Sequence, residues 1–195
     1  MAWAPDYVTA VLLKPYININ HGDSGAEDLW LANWATAVSR NVDDFCGRQF
    51  GKVDLAETRS YYGVWDRNKR KTYVEIDDIQ DLTGLAVEDA DGNVITDYTL
   101  EPLNAISKGS VHTRLILDNY YCNNLTLTGI WGWNSVPPSI PTAAYIQASR
   151  LNARRSSPFG IAGSPSDGAE IRLLAQLDPD FKTSLKPYVR KWYAA

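Results

Sequence analysis

Few side chains in this sequence could do chemistry, and their spacing decides what each could be. The two histidines, His21 and His112, sit in polar stretches with no second His, Cys or carboxylate at ligand spacing. A zinc site needs convergent ligands, and a general base needs an orienting partner, so neither is expected to ligate or catalyse. Glu75, Asp77 and Asp78 form the densest acidic cluster. Residues two apart in a strand share a face, so Glu75 and Asp77 could converge on a divalent cation while Asp78 points away. A solvated strand end accounts for the same carboxylates without a metal. No Ser lies in a nucleophile-elbow context, and neither Cys46 nor Cys122 has neighbours that would activate a thiolate. Gly129-Ile-Trp-Gly-Trp133 lacks the glycine spacing of a dinucleotide loop and runs into prolines. No catalytic, metal or cofactor site is expected.

Aromatic residues are the remaining signal: seven Trp and eleven Tyr against one Met. Trp131 and Trp133 share a sheet face if their strand continues that far. Buried, each contributes on the order of 2–3 kcal/mol. Exposed side by side, they could stack on sugar rings; together with the tyrosines they motivate an alternative reading as a carbohydrate- or surface-binding β module. Core packing or subunit contact is the other use.

At 195 residues, 45% hydrophobic and 22% charged, the composition is that of a globular chain with a real core. No run of about 18 apolar residues is present to span a membrane. The N-terminus shows no secretory signal, which points to a cytoplasm as the place of work and to free thiols at Cys46 and Cys122, although a disulfide between them stays open. Residues 1–110 hold 18 acidic and 10 basic residues, whereas residues 111–195 hold 5 and 9. The C-terminal part is therefore suited to an acidic partner, and the whole is too acidic for a general nucleic-acid binder.

Helices and strands must position these groups. Thr9 caps a short helix limited by Pro15. Asp23 or Ser24 starts the longest helix, whose apolar face is Leu31, Trp34, Ala35, Val38, Val42 and Phe45, and Gly47 ends it. From about Leu55 to Trp133, runs of β-branched and aromatic residues predict strands near 59–64, 72–76, 85–88, 94–96, 98–100, 114–117 and 125–131. Asp66 to Lys71, with five charged residues in six, reads as a solvated loop tip rather than a phosphate-binding patch. A second helix is expected from Thr142 to Arg154, with Ala144, Ala148 and Leu151 as its seam. Residues 156–168 read as a mobile loop and 171–177 as a short helix or strand. Asp178-Pro179 starts a C-terminal helix with Phe181 and Leu185 on one face.

In this order the segments resemble the head–tail connector proteins (adaptors, or head-completion proteins) of long-tailed double-stranded DNA phages. The likeness runs from about Tyr7 to Trp192. It is carried by Val42-Asp-Asp-Phe-Cys-Gly-Arg-Gln-Phe50, Thr58-Arg-Ser-Tyr-Tyr-Gly63, Asp97-Tyr-Thr-Leu-Glu-Pro-Leu103, Gly129-Ile-Trp-Gly-Trp133 with Val136-Pro137, and Leu177-Asp-Pro-Asp180. The resemblance implies an α+β chain with a mainly helical core: the long N-terminal helix, the helix after residue 141 and the C-terminal helix. A β-rich insertion at about 55–133 and a C-terminal assembly segment at about 170–195 complete one connector domain over residues 1–195. It also implies a homo-oligomeric ring, usually twelvefold, below the portal protein, carrying a downstream neck, stopper or tail protein. Double-stranded DNA would pass through the lumen without specific binding. The protein would act in the virion neck, and in the host cytoplasm during assembly, without cofactor, catalytic site or membrane. Phe181, Leu185, Tyr188 and Trp192 are then expected to form an assembly surface, with Arg190 and Lys191 meeting acidic groups of the portal. The same tail could instead fold back on the long helix.

Overall fold

The computed structural model describes residues 4–17, 25–156, 161–162, 171–172 and 177–191. The chain divides into two compact units, one formed chiefly by Arg48–Val136 and the other by Asp6–Gly47 with Pro137–Arg190.

The first unit is a sheet. Its strands are β1 (Glu57–Asp66), β2 (Lys71–Ile79), β3 (Asp81–Asp89), β4 (Thr99–Glu101), β5 (His112–Asp118) and β6 (Asn124–Ile130). They lie in the order β3-β6-β1-β2-β5-β4, each antiparallel to its neighbours. β1 changes partner along its length: Glu57–Tyr62 pair with β6, and Gly63–Asp66 pair with β2. Gly63 stands at the changeover, where a Cβ would lie 2.3 Å from the Cys122 carbonyl oxygen. Its N–H donates to the Asn123 carbonyl at 2.8 Å, so chain passes directly over it.

Alternation along the strands sorts the side chains. Val74, Ile76, Leu115, Leu117, Leu125 and Leu127 point inward, joined by Val87, Ile95 and Trp131. Elsewhere the register sets Glu75 opposite Arg114 and Arg114 opposite Glu101, and a second row runs Asp66, Lys71, Asp118. Rows of alternating sign stabilise a sheet and hold its register.

The second unit is built from α1 (Ala10–Tyr16), α2 (Gly25–Cys46), α3 (Ser139–Ser156) and α4 (Pro179–Leu185), with a short strand pair, β7 (Ile161–Ala162) and β8 (Ile171–Arg172). Leu31, Ala35, Val38 and Val42 of α2 are buried, as are Ile140, Ala143, Ala144 and Ala148 of α3. The small residues of α3 let its neighbours approach closely. Thr9 caps α1, and Asp178 caps α4 with Pro179 at the first position.

The expectation of a mainly helical core is therefore incorrect. The chain is α+β, dominated by an antiparallel six-stranded sheet with a hydrophobic core of its own. The inward positions of four strands, β2, β3, β5 and β6, bring enough large aliphatic side chains together to form a core without drawing on a helix face. Smaller differences have local causes. Residues 94–96 form no strand but flank β3, through a Glu88–Val94 bridge and an Ile95 N–H donated to Val87. α3 starts at Ser139, because Pro141 falls in its first turn, where a missing N–H costs nothing. Pro15 lies inside α1 rather than ending it. Within the expected loop at 156–168, Ser156 ends α3 and Ile161–Ala162 form β7; its other residues, and most of 171–177, lie outside the described residues.

Candidate functional site

The Trp-Gly-Trp segment is where the β unit ties itself together. β6 ends at Ile130, and Gly132 takes φ 108°, so Trp131 and Trp133 do not continue a strand. A Cβ on Gly132 would lie 2.0 Å from the Gly51 carbonyl oxygen, so only glycine lets the two backbones meet. Four backbone hydrogen bonds close the crossing: Val53 N–H to Trp131 O at 3.0 Å, Trp133 N–H to Gly51 O at 2.9 Å, Gly132 N–H to Asp78 O at 2.6 Å and Gln80 N–H to Gly132 O at 3.1 Å. Trp131 is 0% and Trp133 2% exposed.

Each indole proton has its own acceptor. Trp131 Nε1 donates to the Glu57 carbonyl at 2.8 Å, and Trp133 Nε1 donates to Asp78 Oδ2 at 2.9 Å. Arg48 Nη1 approaches the same Asp78 oxygen at 3.3 Å, and Phe50 packs against Trp133 with ring centroids 5.2 Å apart. Two motifs some eighty positions apart in sequence, Arg48-Gln-Phe50 and Trp131-Gly-Trp133, thus converge on one buried carboxylate.

The acidic cluster is split rather than assembled. Asp78 is 2% exposed, not the solvated strand end expected of it. Asp77 accepts from Arg59 Nη1 at 2.8 Å and from the Tyr61 hydroxyl at 2.9 Å, where β1 has left β2 for β6. Burial, with Asp77 beside it, pushes the Tyr61 hydroxyl well above its ordinary value. Arg59 also pairs with Glu57 and lies over the Trp131 ring, 5.0 Å from its centroid. Glu75 lies opposite Arg114. Among the described residues, no group of three or more His, Cys, Asp or Glu is placed to hold a metal ion. His112 is buried at the start of β5 rather than in a polar loop, and burial pushes its imidazole down, opposed by a backbone hydrogen bond at Pro102. His21 lies outside the described residues. Cys46 and Cys122 are buried free thiols.

Of the C-terminal residues expected at an assembly surface, Phe181 and Leu185 are buried, and Phe181 meets Phe45 edge-on at 5.8 Å. The α4 segment thus packs on α2 through Phe181. The backbone N–H of Arg190, itself buried, donates to the Cys46 carbonyl at 2.7 Å. Tyr188 is half-buried and Lys191 exposed. Trp192 lies outside the described residues.

Several large apolar side chains are exposed on each unit. On the helical unit they are Val11, Leu12 and Tyr16 of α1 and Leu29 and Trp30 of α2. α2 carries no charge from Leu29 to Ser39 on either face. A buried helix face needs no charge, but a solvated face ordinarily carries some; the doubly uncharged run was the signal that sequence reading passed over. On the β unit, Tyr62 is 83% exposed, with Val64 and Tyr121 also outward. No helix among the described residues is long and apolar enough to cross a membrane.

No protein-family model and no curated protein matches the chain.

Proposed function

We propose that this chain is a structural subunit of a phage neck, a head–tail connector. Copies form a ring below the portal, complete the filled head and present a platform to neck or tail proteins. The observation that carries this reading is the convergence of Arg48-Gln-Phe50 with Trp131-Gly-Trp133 on Asp78. Segments that resemble connector motifs one by one pack here into a single structural unit. Exposed apolar side chains on both units, Trp30 on one and Tyr62 on the other, support the same reading. A head-to-tail ring needs two different contact surfaces on every subunit, whereas a twofold dimer needs one.

The role is one of assembly and calls on no catalytic group. The net charge of −4 suits a conduit, because a strongly basic lumen would hold DNA rather than let it pass. The carbohydrate-binding alternative, motivated by Trp131, Trp133 and the tyrosines, is left with exposed tyrosines such as Tyr62 and Tyr121, since both tryptophans are packed inside.

Electron microscopy of the purified protein, alone and mixed with the portal protein of the same phage, tests the proposal. Rings of this chain seated on the portal are expected. A monomer that never joins the portal overturns it.

A further inference from the structure

The tip of the β1–β2 hairpin concentrates positive charge on an acidic chain. Arg67, Asn68, Lys69 and Arg70 are all exposed, and Lys71 adds a fourth cation within five positions. The turn is held from within. Asp66 Oδ1 accepts the backbone N–H of Asn68 at 2.9 Å and of Lys69 at 3.0 Å. Arg70 adopts φ 55°, and its carbonyl accepts the Asn119 N–H at 2.7 Å. Two of the cations are already engaged: Lys71 pairs with Asp118 at 2.8 Å, while Lys69 reaches Asp66 at 3.5 Å and lies over the Tyr73 ring. Among the described residues, the side chains of Arg67 and Arg70 have no ion-pair or hydrogen-bond partner.

A guanidinium presents a planar fork of donors that fits two oxygens of a phosphate. A turn that is already ordered loses little freedom on binding. The geometry points to this hairpin tip as a contact for the phosphate backbone of duplex DNA, with Arg67 and Arg70 each meeting a phosphate and Lys69 adding to the field. Such contacts read no bases, so the interaction is independent of sequence. The site stands on its own observations, while the choice of DNA among polyanions rests on the connector reading, in which a duplex passes through the ring. Two or three cations bind weakly on each subunit. Repeated around a ring, they guide a passing duplex without arresting it.

Fluorescence anisotropy of a short labelled duplex, titrated at low salt with the full-length protein, tests the inference. Binding is expected irrespective of sequence, with log K falling against log salt at a slope of about −2 to −3, roughly 0.9 per phosphate. R67E/R70E should abolish binding. R67Q/R70N, in which Asn tolerates the left-handed backbone, should reduce the slope by about 2. Melting temperatures should stay unchanged in both. Equal duplex binding by wild type and variants overturns the proposal. So does a wild type that binds poly-glutamate through these arginines but no duplex, the behaviour of a surface for an acidic protein. Portal association, measured on the same preparations, separates the two readings. A wild type that joins the portal and ignores the duplex overturns the hairpin contact and leaves the connector. A wild type that binds the duplex through the two arginines and never joins the portal does the reverse.

Discussion

Asp78 accepts the indole proton of Trp133 on the oxygen that faces Arg48, and its backbone carbonyl accepts the Gly132 N–H. Removing the carboxylate takes a buried acceptor from the Trp133 indole N–H and a counter-charge from the largely buried Arg48 guanidinium, which costs more than removing an exposed ion pair. Asp78→Ala should therefore destabilise the protein by about 3–5 kcal/mol. Asp78→Asn keeps an acceptor for Trp133 and should cost about 1–2 kcal/mol. Denaturant midpoints of the two variants check this, and equal losses would mean that the indole bond contributes nothing. The two tryptophans and the glycine between them were legible as a strand-to-helix junction. Their acceptor was not, because Asp78 sits in a run of three acidic residues whose burial depends on strands far away in sequence.

The starts of α1 and α4 were legible because capping is local chemistry, while the expected start of the longest helix at Asp23 or Ser24 lies outside the described residues. Asp178 accepts the Asp180 N–H at 2.8 Å, Pro179 follows at the first helical position, and Arg150 reaches the other carboxylate oxygen at 3.2 Å. Asp178→Ala should cost about 1–2 kcal/mol, while Asp178→Asn, which can still cap, should stay close to wild type in thermal unfolding. Strands were legible as segments but not as a sheet. β1 reads as one run of alternating residues, and nothing in it announces that its first half pairs with β6 and its second half with β2. Pairing is a choice among distant partners, settled only when all the inward faces close on one core.

At the scale of the whole molecule, acid sensitivity follows from groups in several places. Hydrogen bonds from Lys52, then from Thr83, hold the Asp81 carboxyl down to about 2. Those from Asn93, then from Tyr120, hold Asp89 at about 2. In the unfolded chain these carboxyls titrate near 3.8, so their stabilisation is complete above that pH and is lost as pH falls toward 2. His112, pushed down by burial, acts with the same sign at higher pH: protonation of the unfolded chain begins to cost stability below 6.5. Asp43, raised by burial, runs the other way. Urea midpoints should fall in two stages on acidification, and Asp81→Asn with Asp89→Asn should flatten the lower one. A wild-type profile flat from 3.8 to 2 would show that the two carboxylates hold nothing in place.

The sequence by itself determined what local forces decide: the long helix with its apolar stripe, the caps of α1 and α4, and the strand-forming runs. Tertiary structure alone decided that the strands would close on a core of their own, and that Phe181 and Leu185 would be spent inside. It also brought Arg48, Asp78 and Trp133 together. The reason is physical. Helix periodicity and capping act over four residues, whereas strand pairing and the burial of a charge depend on partners that only the folded chain brings within reach.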